Sequence, residues 1–128
     1  MRPECPATEN VVRAVTTAMW DETHQRVSYS CLRGPNTSVS RLAVLGLPDL
    51  FGIFRRDLTE PPNKLLVGAG EVNIGVMQNI GNSADNPTRI TVEIDPQPDN
   101  RAHAEIPQKL SRGIVKRIVE AWTWHAAD

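Results

Sequence analysis

Residues 90–122 read ITVEIDPQPDNRAHAEIPQKLSRGIVKRIVEAW, and this stretch decides the fold class. Ile90, Val92 and Ile94 alternate with Thr91 and Glu93, the period-two signature of a strand with one buried face. Asp95-Pro96-Gln97-Pro98-Asp99-Asn100 is a tight connection, because Pro and Asn set turn geometry, and Ala102 to Ile106 then reads as a short returning strand. From Leu110 the period changes. At 100° per residue Leu110, Ile114, Val115, Ile118, Val119, Ala121 and Trp122 fill one half of a wheel, while Lys109, Arg112, Lys116, Arg117 and Glu120 fill the other. Strand, turn, strand and amphipathic helix within so few residues predict an α+β domain, a small, mostly antiparallel sheet against this C-terminal helix and one or two more.

The same rules extend toward the N-terminus. Residues 1–8 hold two prolines and are expected to form an arm, leaving 9–128 as one domain. Thr8 is placed to cap a helix carrying Val11, Val12, Val15, Ala18 and Met19 at helical spacing. Val27, Tyr29 and Cys31 alternate with Ser28 and Ser30 as a strand, Arg33 to Thr37 is a turn, and Val39 to Leu45 is read as a strand. Pro48 suits the first turn of a helix bearing Leu50, Phe51, Phe54 and Leu58, stopped at Glu60-Pro61-Pro62-Asn63. Lys64 to Ile80 is broken by glycines, and Val72, Ile74 and Val76 alternate like a strand.

The chain has 128 residues, 14 Lys and Arg against 15 Asp and Glu, and a formal charge of −1. That length suits a single domain, and the balance supplies no global pull toward nucleic acid or an anionic membrane. Hydrophobic residues make up 40%, too many for a disordered tail, and they are too interrupted for a membrane span. Two cysteines without a Cys-x-x-Cys pair, and an N-terminus without an apolar signal region, lead us to expect a reducing cytoplasm with both thiols free.

Candidate sites are few. Leu65-Leu66-Val67-Gly68-Ala69-Gly70 looks like a strand entering the Gly-x-Gly turn of a dinucleotide-binding unit. Asn73 stands where that motif wants Gly or Ala, and the segment that should be its helix alternates like a strand, so a bulged or tightly turned hairpin is the preferred reading. His103 and Glu105 lie two apart on the returning strand, hence on one face, where a carboxylate beside an imidazole suits general-base chemistry. The plain alternative is a solvent-facing polar pair on an edge strand. His24, His103, His125, Cys5 and Cys31 lack the close spacing of a zinc site, so no metal and no cofactor is expected. Cys31 is read as a buried small hydrophobe, and Ser28, Ser30, Ser38 and Ser40 as ordinary strand and turn residues. The polar face of the last helix carries Lys109, Arg112, Lys116 and Arg117 against Glu120 alone, and the wheel sets Trp124 beside Arg117. Arginine with an exposed tryptophan is the composition of an interaction hot spot, making Arg112, Lys116, Arg117 and Trp124 the candidate partner-binding set. A helix that frays before Trp124 would instead leave that ring on the body of the domain.

Several stretches taken together, namely Arg26-Val27-Ser28, Ser38-Val39-Ser40, Asn73-Ile74-Gly75-Val76, and Asp95 to Asn100 leading into His103-Ala104-Glu105-Ile106 and the final helix, resemble small bacterial proteins associated with defence or toxin-like gene cassettes. The resemblance spans about residues 26–120 and implies a subunit or regulator beside a larger partner; it supplies no catalytic residues. The leading expectation is therefore a cytoplasmic accessory or interaction protein with a protein partner or a second copy of itself. The alternatives are a small enzyme using His103 and Glu105 on a nucleotide or nucleic-acid substrate, and an immunity-type inhibitor. Nucleic acid as a docking partner is disfavoured, and no membrane is expected.

Overall fold

A computed structural model describes residues 2–128. Eight strands and three helices run in the order β1 (Asn10–Thr16), β2 (Trp20–Asp21), β3 (Arg26–Val27), β4 (Thr37–Arg41), α1 (Leu47–Leu58), β5 (Leu66–Asn73), α2 (Ile74–Asn82), β6 (Glu93–Ile94), β7 (His103–Ile106), α3 (Arg112–Ala121) and β8 (Thr123–Ala126). Six strands form one sheet in the order β6-β7-β4-β1-β5-β8. Every neighbouring pair in it is antiparallel, and β2 and β3 form a separate ribbon. The fold is a small α+β fold, as the strand-turn-strand-helix pattern predicts.

The sheet has a layer on each face. Val11 and Val15 of β1 join Ile74, Met77 and Ile80 of α2 and Ile114, Val115 and Ile118 of α3 in the larger core. Val12 and Ala14, pointing the other way, meet Leu50 and Phe54 of α1. Residues 10–16 are thus a central strand and not the helix expected from Thr8. Apolar side chains at 11, 12 and 15 match helical spacing, but they equally describe a strand buried on both faces, and three Val and a Thr favour the strand.

Other boundaries move for identifiable reasons. Tyr29–Leu32 is a 3-10 turn, not a strand, and Ser28 caps it by accepting from Ser30 N. After Arg41 the chain leaves the sheet, with Val44 N and Leu45 N both donating to Arg41 O, while Leu42, Val44 and Leu45 line the α1 side. The glycine-interrupted run divides into a strand and a helix. Asn73, which argues against a helix when placed inside one, is the N-cap of α2, its Oδ1 accepting from Val76 N at 3.1 Å. Ile90 to Val92 are buried but off the ladder, and only Glu93 and Ile94 pair with β7. The N-terminal segment is docked, not free: Cys5 N donates to Val92 O and Ile94 N to Pro3 O, each at 2.7 Å, and Cys5 is buried. Met1 lies outside the described residues.

At the C-terminal end Ser111 caps α3, its Oγ accepting from Ile114 N. The helix stops at Ala121, the backbone of Trp122 turns extended, and β8 runs back along β5. No helix among the described residues is long and apolar enough to cross a membrane.

Candidate active site

β1 and β4 pair over only two positions, Val11↔Arg41 and Val12↔Ser40, before they separate. Arg13 bridges the split: its Nε donates to Cys31 O at 2.8 Å and its Nη1 to Ser38 O at 3.1 Å. A guanidinium thus satisfies strand and turn carbonyls that neighbouring backbone does not. On the α1 side of this split lies a cleft of about 450 Å³, bounded by Ser38, Ser40, Asn100 and His103, by Ile53, Phe54 and Leu58 of α1, and by Lys64. Asp57 and Asp99 stand there too, and Arg56, paired with Asp57, donates to Asp99 O at 2.8 Å, latching the loop before β7 to α1.

His103 is 8% exposed and both ring nitrogens are engaged. Nδ1 faces Asp95 twice, the main-chain oxygen at 2.9 Å and carboxylate Oδ2 at 3.2 Å; Nε2 lies 3.0 Å from Ser38 Oγ. The main-chain oxygen can only accept, so in the neutral ring the proton sits on Nδ1. Nε2 is then the lone-pair nitrogen, and the Ser38 hydroxyl donates to it. A hydroxyl, an imidazole and a carboxylate are thus brought together, and Ser38 is exposed.

The hairpin holds these groups. Asp95 N donates to His103 O, and Gln97 and Asn100 bond each other's backbone within the turn. Asn100 Nδ2 donates to Ser40 Oγ at 3.1 Å and its Oδ1 accepts from Ala102 N, bracing the loop against β4. Arg2 Nη1 lies 3.1 Å from Asp95 Oδ2, and its Nη2 reaches Glu93 and Glu105. Thr16, 1% exposed, also borders the cleft, and its Oγ1 is the one buried side-chain polar atom among the described residues without a hydrogen-bond partner.

The expected His103–Glu105 pairing is not the one formed. His103 faces the cleft, but Glu105 pairs with Arg2, and the carboxylate at the imidazole is Asp95, eight residues upstream across the hairpin. The solvent-facing edge-strand reading fails for His103 as well, because β7 lies between β6 and β4 and His103 is buried. Ser38 reads in the sequence as an ordinary strand serine, and nothing local marks it: its partner is 65 residues away.

The other candidates are separated by the fold. Arg112 lies over the Tyr29 ring, Lys116 is exposed, and Arg117 donates to Ile80 O and Ser83 Oγ. Trp124 is not beside Arg117 on a helix face; it sits in β8, stacked on Trp20 with ring centroids 5.8 Å apart. Gly68 and Gly70 form no phosphate turn. They lie within β5, where a Cβ on either would collide with Trp124 or Trp122. Near the opposite edge, His125 Nε2 and Asn10 Nδ2 each approach a Glu71 carboxylate oxygen at 2.7 Å. Burial pulls the Glu71 pKa up, but these hydrogen bonds outweigh it and hold the carboxyl below its usual range. Cys5 and Cys31 are free and buried, and burial pushes the Cys31 thiol up to about 11, so neither is placed as a nucleophile. No group of three His, Cys, Asp or Glu able to hold a metal ion occurs among the described residues.

Comparison of the chain with family models, curated proteins and solved structures returned no match.

Proposed function

We propose that the chain is a small hydrolase that works by acyl transfer to Ser38. The observation that carries the reading is His103, held by Asp95 at Nδ1 and bonded to Ser38 Oγ at Nε2, on the wall of a cleft of about 450 Å³. In the first half-reaction Ser38 Oγ attacks the carbonyl carbon of an ester while its proton passes to Nε2. The tetrahedral adduct collapses, the C–O bond to the leaving group breaks, and Nε2 returns the proton to the departing alcohol. Water then attacks the acyl-serine with His103 as base, releasing a carboxylic acid and regenerating Ser38. Ile53, Phe54 and Leu58 offer an apolar wall to the acyl part. Asp57 and Asp99 at the cleft weigh against the nucleotide or nucleic-acid substrate expected for a His103 enzyme, since phosphates would meet carboxylates there.

The test is covalent. A fluorophosphonate should add one adduct to the intact chain, mapped by peptide mass spectrometry to Ser38, and p-nitrophenyl esters of short acids should be hydrolysed by the native chain but not by Ser38→Ala. Absence of label at Ser38, together with hydrolysis no faster than that of Ser38→Ala, would remove the proposal.

A second reading, an accessory subunit docking a protein partner through the outer face of α3, is favoured by Arg112 and Lys116, exposed and without a carboxylate within 4 Å among the described residues. It also accommodates the resemblance to bacterial defence-cassette proteins. A complex co-purified from a native host that dissociates on Arg112→Glu with Lys116→Glu supports it; a free monomer throughout counts against it.

A further inference from the structure

A second polar site lies away from the cleft, and it does not rest on the hydrolase reading. Tyr29 opens the 3-10 turn, and three arginines surround it from three elements: Arg26 from β3, Arg33 just after the turn, and Arg112 from the first turn of α3. The Arg26 and Arg112 guanidinium carbons lie 5.5 and 5.7 Å from the Tyr29 ring centroid, within cation–π range. With Ser28 and Ser30 these residues line a shallow cavity of about 290 Å³.

Charge is the informative feature. Arg26, Arg33 and Arg112 line one cavity together and none has a carboxylate within 4 Å among the described residues. The one carboxylate lining the cavity, Asp21, is bonded to His24 Nδ1 at 2.7 Å and sits opposite Arg26 in the β2–β3 ribbon, beyond ion-pair distance. Arg33 makes only a 3.4 Å contact from Nε to Leu110 O, so most of its fork is free. Ser28 Oγ and Ser30 Oγ lie 2.9 Å apart; one hydroxyl donates to the other, and the second keeps its hydrogen for a ligand. Bringing three like charges together costs energy that a seated dianion reverses, and planar guanidinium forks match phosphate oxygens two at a time.

We propose that this cavity binds a phosphate monoester, with Arg26, Arg33 and Arg112 taking its oxygens, a Ser28 or Ser30 hydroxyl donating to one of them, and the Tyr29 ring holding two of the guanidiniums in place. The group can arrive on a free small molecule or on a phosphorylated side chain of another protein, and the measurement separates these sources.

The full chain is titrated with inorganic phosphate, with glycerol phosphate and with a phosphoserine heptapeptide, following the Tyr29 ring signals by NMR at constant ionic strength. Saturable shifts with Kd of about 1 mM or tighter are expected, weakened at least about tenfold in Arg33→Gln and in Arg112→Gln with the remaining spectrum unchanged. A peptide that binds at least about tenfold more tightly than glycerol phosphate assigns the site to a phosphorylated partner; equal affinities assign it to a small phosphate. Either result supports the site. Shifts that chloride reproduces at the same ionic strength, or that persist equally in both variants, overturn it. Loss of Ser38 labelling has no bearing on the outcome.

Discussion

The Trp122 indole lies against the Cα of Gly70, in the space a side chain there would fill. Gly68 stands in the same relation to Trp124, so the two glycines of β5 form a floor on which the C-terminal tryptophans rest. Trp124 in turn stacks on Trp20, which ties the β2–β3 ribbon to the end of the chain. We expect Gly70→Ala to destabilise the fold by about 1–3 kcal/mol through overpacking, because the ring must lift and β8 with it. Urea denaturation followed by tryptophan fluorescence measures the change. A variant as stable as the native chain would mean that the indoles do not bear on β5.

His103 Nδ1 is hydrogen-bonded to the Asp95 main-chain oxygen while the Asp95 carboxylate lies 3.2 Å away, and the two contacts separate two variants. Asp95→Asn leaves the main-chain oxygen at 2.9 Å in place, so the proton stays on Nδ1 and ester hydrolysis should fall about tenfold or less, a loss of only about 1.4 kcal/mol. His103→Ala removes the proposed base and should cost about 10²–10⁴-fold. Comparing kcat/KM for the two variants checks the order; equal losses would show that the carboxylate alone orients the ring.

Arg41 grips Glu9 with both forks, Nε to Oε1 at 2.9 Å and Nη2 to Oε2 at 2.8 Å, joining the end of β4 to the residue before β1. That hydrogen bonding holds the Glu9 carboxyl below its usual range. A carboxyl depressed in the folded state stabilises above its unfolded value of about 4.3, and the contribution fades as pH falls through the folded value. Glu9→Gln should therefore cost about 2 kcal/mol at pH 7 and much less at pH 3. Stability curves at the two pH values read the difference, and an equal loss at both would show that the contact acts by shape and not by charge.

Thr16 offers the opposite sign. Its Oγ1 is buried without a partner, so Thr16→Val exchanges an unsatisfied hydroxyl for a methyl of similar volume. We expect stability to rise by about 1 kcal/mol. Thermal unfolding settles it, and a lowered midpoint would show that the hydroxyl has a partner in solution.

The α3 register was legible in the sequence because one face is wet and the other dry, whereas the Ser111 cap was not read there. The 94–103 hairpin was legible because Asp, Pro and Asn mark the turn. β1 was not, since a strand buried on both sides loses the alternation that identifies strands, and Val11, Val12 and Val15 then mimic a helical stripe. Asn73 misled for a related reason: counted as a residue inside a helix it argues against one, whereas at the first position outside it terminates the strand and starts α2. For the candidate site, His103 stood out as the sole histidine two residues from a carboxylate on a clear strand. Its true partners are set by pairing across the 94–103 hairpin and between β4 and β7, and register between segments 65 residues apart leaves no local trace at Ser38.

The sheet order has a consequence for how the molecule is made. β1 leaves the ribosome first but needs β4 and β5 on either side, and its ladder with β5 joins Asn10 to Asn73. At about 5–20 residues per second, the apolar strand waits several seconds for its longest partner. Pairings so distant along the chain also slow folding itself, because the loop must close before its contacts form. The valines that later make the centre of the sheet are, during synthesis, without the strands that cover them until β5 has emerged.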